Sequence, residues 1–534
     1  MRWNVVFFVF ANELFAFTAA VDAPDVTLAS VFTAAAFSRI ACNFCAFRLS
    51  PPTFTPPAFG RKSLILKSSH VQGLSRTCQT ACHSGSATPF LSKHCAPLRS
   101  IPQGTQHTGR QSFDYAINAG SYFRLGSTMT KWFAVLLLAL SSTFPSTLLA
   151  ESKFIHTDGR NLVAPDGTPL HLKGTNLGNW LEQEGYMFHL DDGPQSPREI
   201  EDLVNQLLGP EEAVQYWNQY RDTYITEDDI KFLHDTGLNS IRIPFHYKFF
   251  TPGNDEGFRL VDRVIGWAAK YHMVVILDMH CAPGGQTGAN IDDSWGYPWL
   301  YESAADQQLT IDIWKRIAQH YRNNPTVLGY DLLNEPIPNF PQLQQYNQAL
   351  EPIYKRITAG IRQVDTHHVI ILGGAQWDSN FKIFGPPFDK NVMYTFHKYW
   401  MPPTQQSVQS YVDFREKYNV PIWLGESGEN TDTWIHDFVT VLNKNDIGWA
   451  FWTYKRMDAT ASIVSFPKPI YWDEITAYAK LNRSTGNTEK LLPVRPSLEH
   501  AHAAFQDLLQ QIKFQHAHVN AGYLKALNLT VPQP

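Results

Sequence analysis

Two glutamates stand where apolar runs end: Glu335 in Asp331-Leu332-Leu333-Asn334-Glu335-Pro336, and Glu426 in Ile422-Trp423-Leu424-Gly425-Glu426-Ser427-Gly428. Two carboxyls at two strand ends form the set that acid/base chemistry on a sugar requires. The first strand runs through Val327-Leu328-Gly329-Tyr330 and stops where its polar residues begin, since Pro336 has no N–H to offer a further ladder bond.

Other polar and aromatic residues fall at the ends of similar runs. They are Arg242 in Ile241-Arg242-Ile243-Pro244, His280 in Asp278-Met279-His280, Asn334 beside Glu335, His397 and Tyr399 in Thr395-Phe396-His397-Lys398-Tyr399, and Trp452 in Ala450-Phe451-Trp452-Thr453-Tyr454. Singly, a strand-end His reads as a satisfied structural residue, and an Arg amid Ile and Pro reads as the partner of a buried acid. Together with Glu335 and Glu426 they occupy six of eight strand ends with groups that a core would not hold unpaired.

The elements that position these residues recur regularly. Eight apolar runs appear in order: Leu170 to Gly178, Ser240 to Tyr247, Val274 to His280, Val327 to Pro336, His368 to Trp377, Val392 to Trp400, Pro421 to Gly428 and Gly448 to Lys455. Amphipathic stretches lie between them, among them Asp306 to Arg322, with Leu309, Ile313, Ile317 and Tyr321 on one stripe, and Thr433 to Asn443. Ser196-Pro197-Arg198-Glu199 reads as a capping box, and Thr226 precedes the acidic first turn Glu227-Asp228-Asp229. Strand and helix alternating eight times predicts a (β/α)8 TIM barrel, whose active face lies at the carboxyl ends of its strands. A doubly wound sheet would carry a Gly-rich phosphate turn after its first strand, and Gly174-Thr175-Asn176-Leu177-Gly178-Asn179 lacks that spacing. The turn pairs Asp158-Gly159 and Asp166-Gly167 predict a small hairpin capping the barrel bottom, and Ser497 to Phe514 reads as the last outer helix.

Charge and cysteine divide the chain of 534 residues. Residues 1–128 hold 11 Lys and Arg against 4 Asp and Glu, whereas the remainder holds 33 against 45. Cys42, Cys45, Cys78, Cys82 and Cys95 also fall in the first part, which leaves Cys281 alone and no internal disulfide for the second. The stretch from Ser50 to Gly126 is rich in Ser, Thr, Pro, Gly and Gln without sustained periodicity, so residues 1–128 are expected to be disordered or absent from the mature protein, with a signal or anchor in the apolar Met1 to Ala20 as the competing reading. Residues 129–150 read as a signal peptide: Lys131 is the basic region, Trp132 to Leu140 an apolar core of 9 residues, and Ala150 the residue before cleavage. Such a core is too short to span a bilayer. The expectation is a secreted or periplasmic monomer, with a catalytic domain over 151–515 and a tail over 516–534. The net charge of −5 offers no basic footprint for nucleic acid.

The ordered set of Arg242, His280, Asn334-Glu335-Pro336, His397, Tyr399, Glu426 and Trp452 resembles glycoside hydrolase family 5, the cellulase-containing family of the retaining barrel clan. Asn176-Leu177-Gly178-Asn179-Trp180 and the stretch from His280 to Gly288 look most like its exo-β-1,3-glucanase group. Asn179 and Gln183-Glu184-Gly185 depart from the Gly-Gly-Trp and Leu-Glu-Pro usual there. The resemblance implies that Glu335 is the general acid/base and Glu426 the nucleophile of a double displacement on a β-glucan. It further implies that Arg242 and Tyr399 support Glu426 and that Asn334 binds the sugar 2-hydroxyl. His280 and His397 then position hydroxyls or carboxyls, Trp452 floors the reacting ring, and Glu184, with Glu182 as a rival, contacts a hydroxyl in the deepest subsite. No cofactor is implied.

Trp295, Trp299, Trp377 and Trp400 are candidates for stacking on sugar rings, with packing under loops as the alternative. Asp292-Asp293 reads as a solvated loop face or a hydroxyl binder, and no set of His and carboxylates has convincing metal-ligand spacing. Glucan linkage, exo or endo action, and glucan against mannan stay open at this level. Two other classes compete: a metal-dependent barrel hydrolase using Asp278, His280 and His397, and a non-catalytic carbohydrate-binding barrel.

Overall fold

A computed structural model describes residues 153–532. The cysteines before Cys281, the disorder expected of 1–128 and the signal-like stretch 129–150 lie outside the described residues. Among the described residues no helix is long and apolar enough to cross a membrane.

The described residues open with the expected hairpin, β1 (His156–Asp158) against β2 (Asn161–Val163), antiparallel with Asp158 opposite Asn161. Eight strands then follow: β3 (Lys173–Asn176), β4 (Ser240–His246), β5 (Val274–Cys281), β6 (Val327–Asp331), β7 (Val369–Gly373), β8 (Val392–His397), β9 (Ile422–Glu426) and β10 (Gly448–Phe451). All pair in parallel and in sequence, and β10 closes on β3, so the sheet is the closed barrel that the alternation predicts.

The pleat explains how apolar runs can carry polar chemistry. In β5, Val275, Leu277 and Met279 face the surrounding helices in the large outer core, while Val274 and Ile276 belong to the inner cluster. The inward alternation continues upward as Asp278 and His280. The inner cluster, formed by Ile276, Leu328, Val369, Ile371, Met393, Trp423 and Ala450, plugs the lower barrel, and Ile155 and Leu162 of the hairpin region seal it from below. Above that plug the inward positions are free to be polar.

Helix boundaries follow their caps. Ser196 and Glu199 form the capping box that starts the helix Pro197–Leu208, and Thr226 with Asp229 does the same for Glu227–Asp235. The stripe predicted over 306–322 lies on the helix Ala304–Tyr321, and the last outer helix spans Leu498–Gln511.

The segment from 516 onward, expected to be a tail beyond the catalytic domain, folds onto it. Its strand β13 (His518–Val519) pairs with β12 (Val464–Phe466), which in turn pairs with β11 (Lys455–Met457). Tyr523, Leu524 and Leu527 are buried, and the Tyr523 hydroxyl donates to the Trp452 carbonyl at 3.3 Å. Tyr523 and Leu524 lie on the short helix Ala521–Ala526 and Leu527 caps it, too few apolar positions for the period to stand out in sequence.

Candidate active site

Arg242 organises the mouth of the barrel. Inward-facing on β4 and fully buried, its guanidinium meets Asp331 Oδ2 at 2.9 Å, Asp278 Oδ1 at 3.1 Å and Glu426 Oε1 at 2.5 Å. The amide oxygens of Asn176 and Asn334 take further N–H groups at 2.9 and 3.0 Å. Burial alone would weaken the Arg242 charge, but its three carboxylate partners overcome this and hold its pKa above the ordinary value. The fork of donors thereby ties β3, β4, β5, β6 and β9 together.

Glu426 ends β9. One oxygen lies on Arg242 and the other accepts the Tyr399 hydroxyl at 3.1 Å. Glu335 follows β6 in left-handed backbone, φ 45°, with its side chain 15% exposed. Its Oε1 is 3.0 Å from His397 Nδ1, and its backbone N–H donates to Asp378 Oδ2 at 3.1 Å. Glu335, His397 and Glu426 each offer an atom within 4.8 Å of the others. Burial pushes the Glu335 carboxyl up to about 7, against the opposing charge of Arg242. A carboxyl so placed can hold its proton near neutrality.

Both histidines are neutral for the same reason. Burial lowers His280 to about 4 and His397 to about 3. His280 Nδ1 is 2.8 Å from Asp278 Oδ2, and Asn334 Nδ2 donates to its Nε2 at 3.1 Å, which sets the tautomer with the proton on Nδ1. Asn334 is thus fixed by Arg242 on one side and His280 on the other.

Trp452 forms the wall opposite. Its ring stacks on His280 with centroids 5.6 Å apart, and its Nε1 donates to the Tyr186 hydroxyl at 2.8 Å. Gly178 permits this approach, because a Cβ there would meet the Trp452 ring at 2.5 Å. Beyond Gly178, the loop brings Glu182 and Glu184 to His280, each with an atom within 4.8 Å of the others. Burial, then the charges of Glu429, Glu426 and Glu335, raise the Glu184 carboxyl well above the carboxylate range, and burial together with Glu184 does the same to Glu182. Glu184 keeps 8% exposure, whereas Glu182 is fully sealed with neither oxygen hydrogen-bonded. Glu184 is therefore the member of the pair beside open space.

Every residue singled out in sequence for this site comes to one end of the barrel. Several partners were not singled out. Asp331 lies in the same run as Glu335, and Asn176 ends the first barrel strand, but their common partner is Arg242, far away in sequence. Asp378 had no signal beyond following Trp377. Asp292 and Asp293 are not a solvated face: Asp292 is buried and accepts backbone N–H groups of Thr287 and Ser294, while Asp293 meets His246 at 3.2 Å and the Arg198 N–H at 3.0 Å. They staple their loop. Trp295, Trp299 and Trp400 are 75%, 48% and 68% exposed, although the Arg198 guanidinium lies 3.6 Å over one face of the Trp295 ring. The carboxylate and histidine groups near one another could in number hold a cation. Both ring nitrogens of His280 are already engaged by Asp278 and Asn334, which leaves that set without an imidazole lone pair to offer.

Residues 204–458 match the family model described as Cellulase (glycosyl hydrolase family 5). A β-xylosidase of Phanerodontia chrysosporium is 28% identical over 57% of this chain and 71% of its own length. Endoglucanase C of Acetivibrio thermocellus is 25% identical over 45% of this chain and 87% of its own. A probable glucan 1,3-β-glucosidase A of Emericella nidulans is 30% identical over 38% of this chain and 50% of its own. Among solved structures, an endogalactoceramidase has 21% identity and a TM-score of 0.44, covering 56% of this chain and 74% of that one. Endoglucanase Cel5A of Thermotoga maritima has 22% identity and a TM-score of 0.38, covering 53% and 89%. With the closed barrel and the paired carboxyls at its mouth, this chain resembles the glycosyl hydrolase family 5 model over residues 204–458, and it is a glycosidase.

Proposed function

We propose that the protein hydrolyses β-glucosidic bonds of a β-glucan by double displacement, with Glu335 as acid/base and Glu426 as nucleophile. The observation that carries this reading is the approach of the two carboxyls, an oxygen of each within 4.8 Å of the other. Retaining enzymes hold their carboxyls roughly 5–5.5 Å apart, whereas inverting ones leave roughly 6.5–9.5 Å for a water.

In the first step Glu426 attacks the anomeric carbon and forms a glycosyl ester, while Glu335 gives its proton to the departing oxygen. In the second, the now ionised Glu335 takes a proton from water, the water oxygen attacks the same carbon, and the ester bond to Glu426 breaks. Arg242 and Tyr399 hold the two Glu426 oxygens so that its attack needs little reorganisation. Asn334, fixed on both sides, presents its amide to the 2-hydroxyl, and Trp452 supports the ring. Glu184 contacts a hydroxyl of the innermost sugar, and the exposed Trp295, Trp299 and Trp400 offer stacking faces for further rings. The signal-like stretch 129–150 supports export to where a polymeric substrate lies.

Product analysis tests this. Proton NMR of early products from β-1,3-, β-1,4- and mixed-linkage glucans should show the β-anomer first, with a rate on at least one glucan above that on mannan or xylan. An α-anomer first product would overturn double displacement, and faster cleavage of mannan or xylan would overturn the glucan assignment.

A further inference from the structure

The exit of β7 carries an unusual backbone course. Gln376, Trp377 and Asp378 follow one another at φ 54°, 59° and 55°. L-residues visit this region singly far more readily than in runs. The course brings the fully buried Asp378 side chain under the catalytic pair. Its Oδ2 accepts the Glu335 backbone N–H at 3.1 Å and lies 3.3 Å from His397 Nε2. Glu335 is itself left-handed, so its position depends on an anchor outside its own strand. Gly373 fixes the anchor in turn: a Cβ there would fall 1.9 Å from Asp378 Oδ1, so the carboxyl lies directly on the strand backbone.

We propose that Asp378 is a positioning residue for the catalytic acid. Its carboxyl anchors the Glu335 backbone and stands beside His397 Nε2, and a proton on Nε2 leaves Nδ1 as an acceptor for the Glu335 carboxyl proton. This rests on the reading of Glu335 as acid/base. The ring is neutral, so it has one proton to place, and the nitrogen 3.0 Å from Glu335 Oε1 either accepts from the acid or donates to its anion. A donor there would favour ionised Glu335 and spoil the acid. The other charged or titratable groups facing this cluster are Arg242 from β4, Asp278 and His280 from β5, Asp331 from β6, Tyr399 after β8, Glu426 from β9 and Glu184 from the loop after β3.

The test is the pH dependence of kcat/KM on an unactivated β-glucan oligosaccharide for wild type, Glu335→Gln, Asp378→Ala and Asp378→Asn. Asn retains an oxygen acceptor and Ala does not. Asp378→Ala should lower the basic limb by about one pH unit or more, with Asp378→Asn restoring most of it. Nitrogen-15 NMR of His397 in the wild-type protein should show the proton on Nε2, a result that no folding defect can mimic. A proton on Nδ1, an unmoved limb in Asp378→Ala, or an Asn variant as impaired as Ala would overturn the proposal. If Glu335→Gln keeps the basic limb, the acid/base reading itself fails; if it loses the limb and Asp378→Ala does not move it, only the role of Asp378 fails.

Discussion

Arg242 and Glu426 form an ion pair across the barrel mouth, from the second barrel strand to the seventh, and the same guanidinium carries Asp278 and Asp331 on its other nitrogens. Of the three acids, Glu426 alone stands at the open end, 5% exposed against none for the other two. The cation therefore has two partners that hold it in the barrel and one that it presents to the cleft.

That division makes the nucleophile separable from the fold. Glu426→Ala leaves Arg242 with Asp278 and Asp331, so the variant should fold with wild-type circular dichroism and lose turnover on all substrates. Added azide should enter the vacated space and restore part of the activity on an activated glycoside, giving the inverted glycosyl azide. Full activity without azide, or an azide product of retained configuration, would sink the assignment of Glu426.

Glu335 carries a pH dependence whose sign follows from its burial. The folded protein binds this proton more tightly than the unfolded chain, since the carboxyl is pushed up to about 7. Its contribution to stability is unimpaired below about pH 4, falls as the pH rises toward about 7 and then levels, at a cost on the order of 3–4 kcal/mol. Glutamine never ionises. Glu335→Gln should match wild type in urea midpoint near pH 4 and exceed it near pH 8, while hydrolysis of substrates with poor leaving groups collapses. A stability difference that does not change between those pH values would contradict the buried, proton-holding Glu335.

The barrel was legible because each strand is an apolar run whose outward residues pack under helices and whose inward residues turn polar only near the top. Asp278 and His280 on β5 show this, two steps apart above Ile276. The pairings were not legible. Whether Arg242 meets Asp331 depends on a register two strands away, which no local period encodes. Asp378 escaped for a different reason: its place depends on three left-handed residues in a row, and Gln376-Trp377-Asp378 contains no glycine to announce them. The helix Ala521–Ala526 was read as part of a tail because its six residues span under two turns, too short for an apolar stripe to declare itself.

Substrate choice turns on Glu184 and its sealed neighbour. Both approach His280, but only Glu184 borders open space. Glu184→Ala should therefore lose a hydrogen bond to a sugar hydroxyl and leave that hydroxyl unpaired, worth on the order of 1–3 kcal/mol, which is roughly five- to a hundredfold in kcat/KM. It should not lose stability, because burial and the surrounding acids already disfavour the ionised carboxyl. Glu182→Gln replaces a carboxyl that no substrate can reach and that must take up a proton to be buried, so it should change kcat/KM far less while raising the melting temperature near neutral pH. Equatorial hydroxyl geometry should matter at this contact, and the preference for glucan over mannan should narrow in Glu184→Ala. An unchanged rate in Glu184→Ala, or a larger loss in Glu182→Gln, would move the deep contact to Glu182 and leave the chemistry at Glu335 and Glu426 untouched.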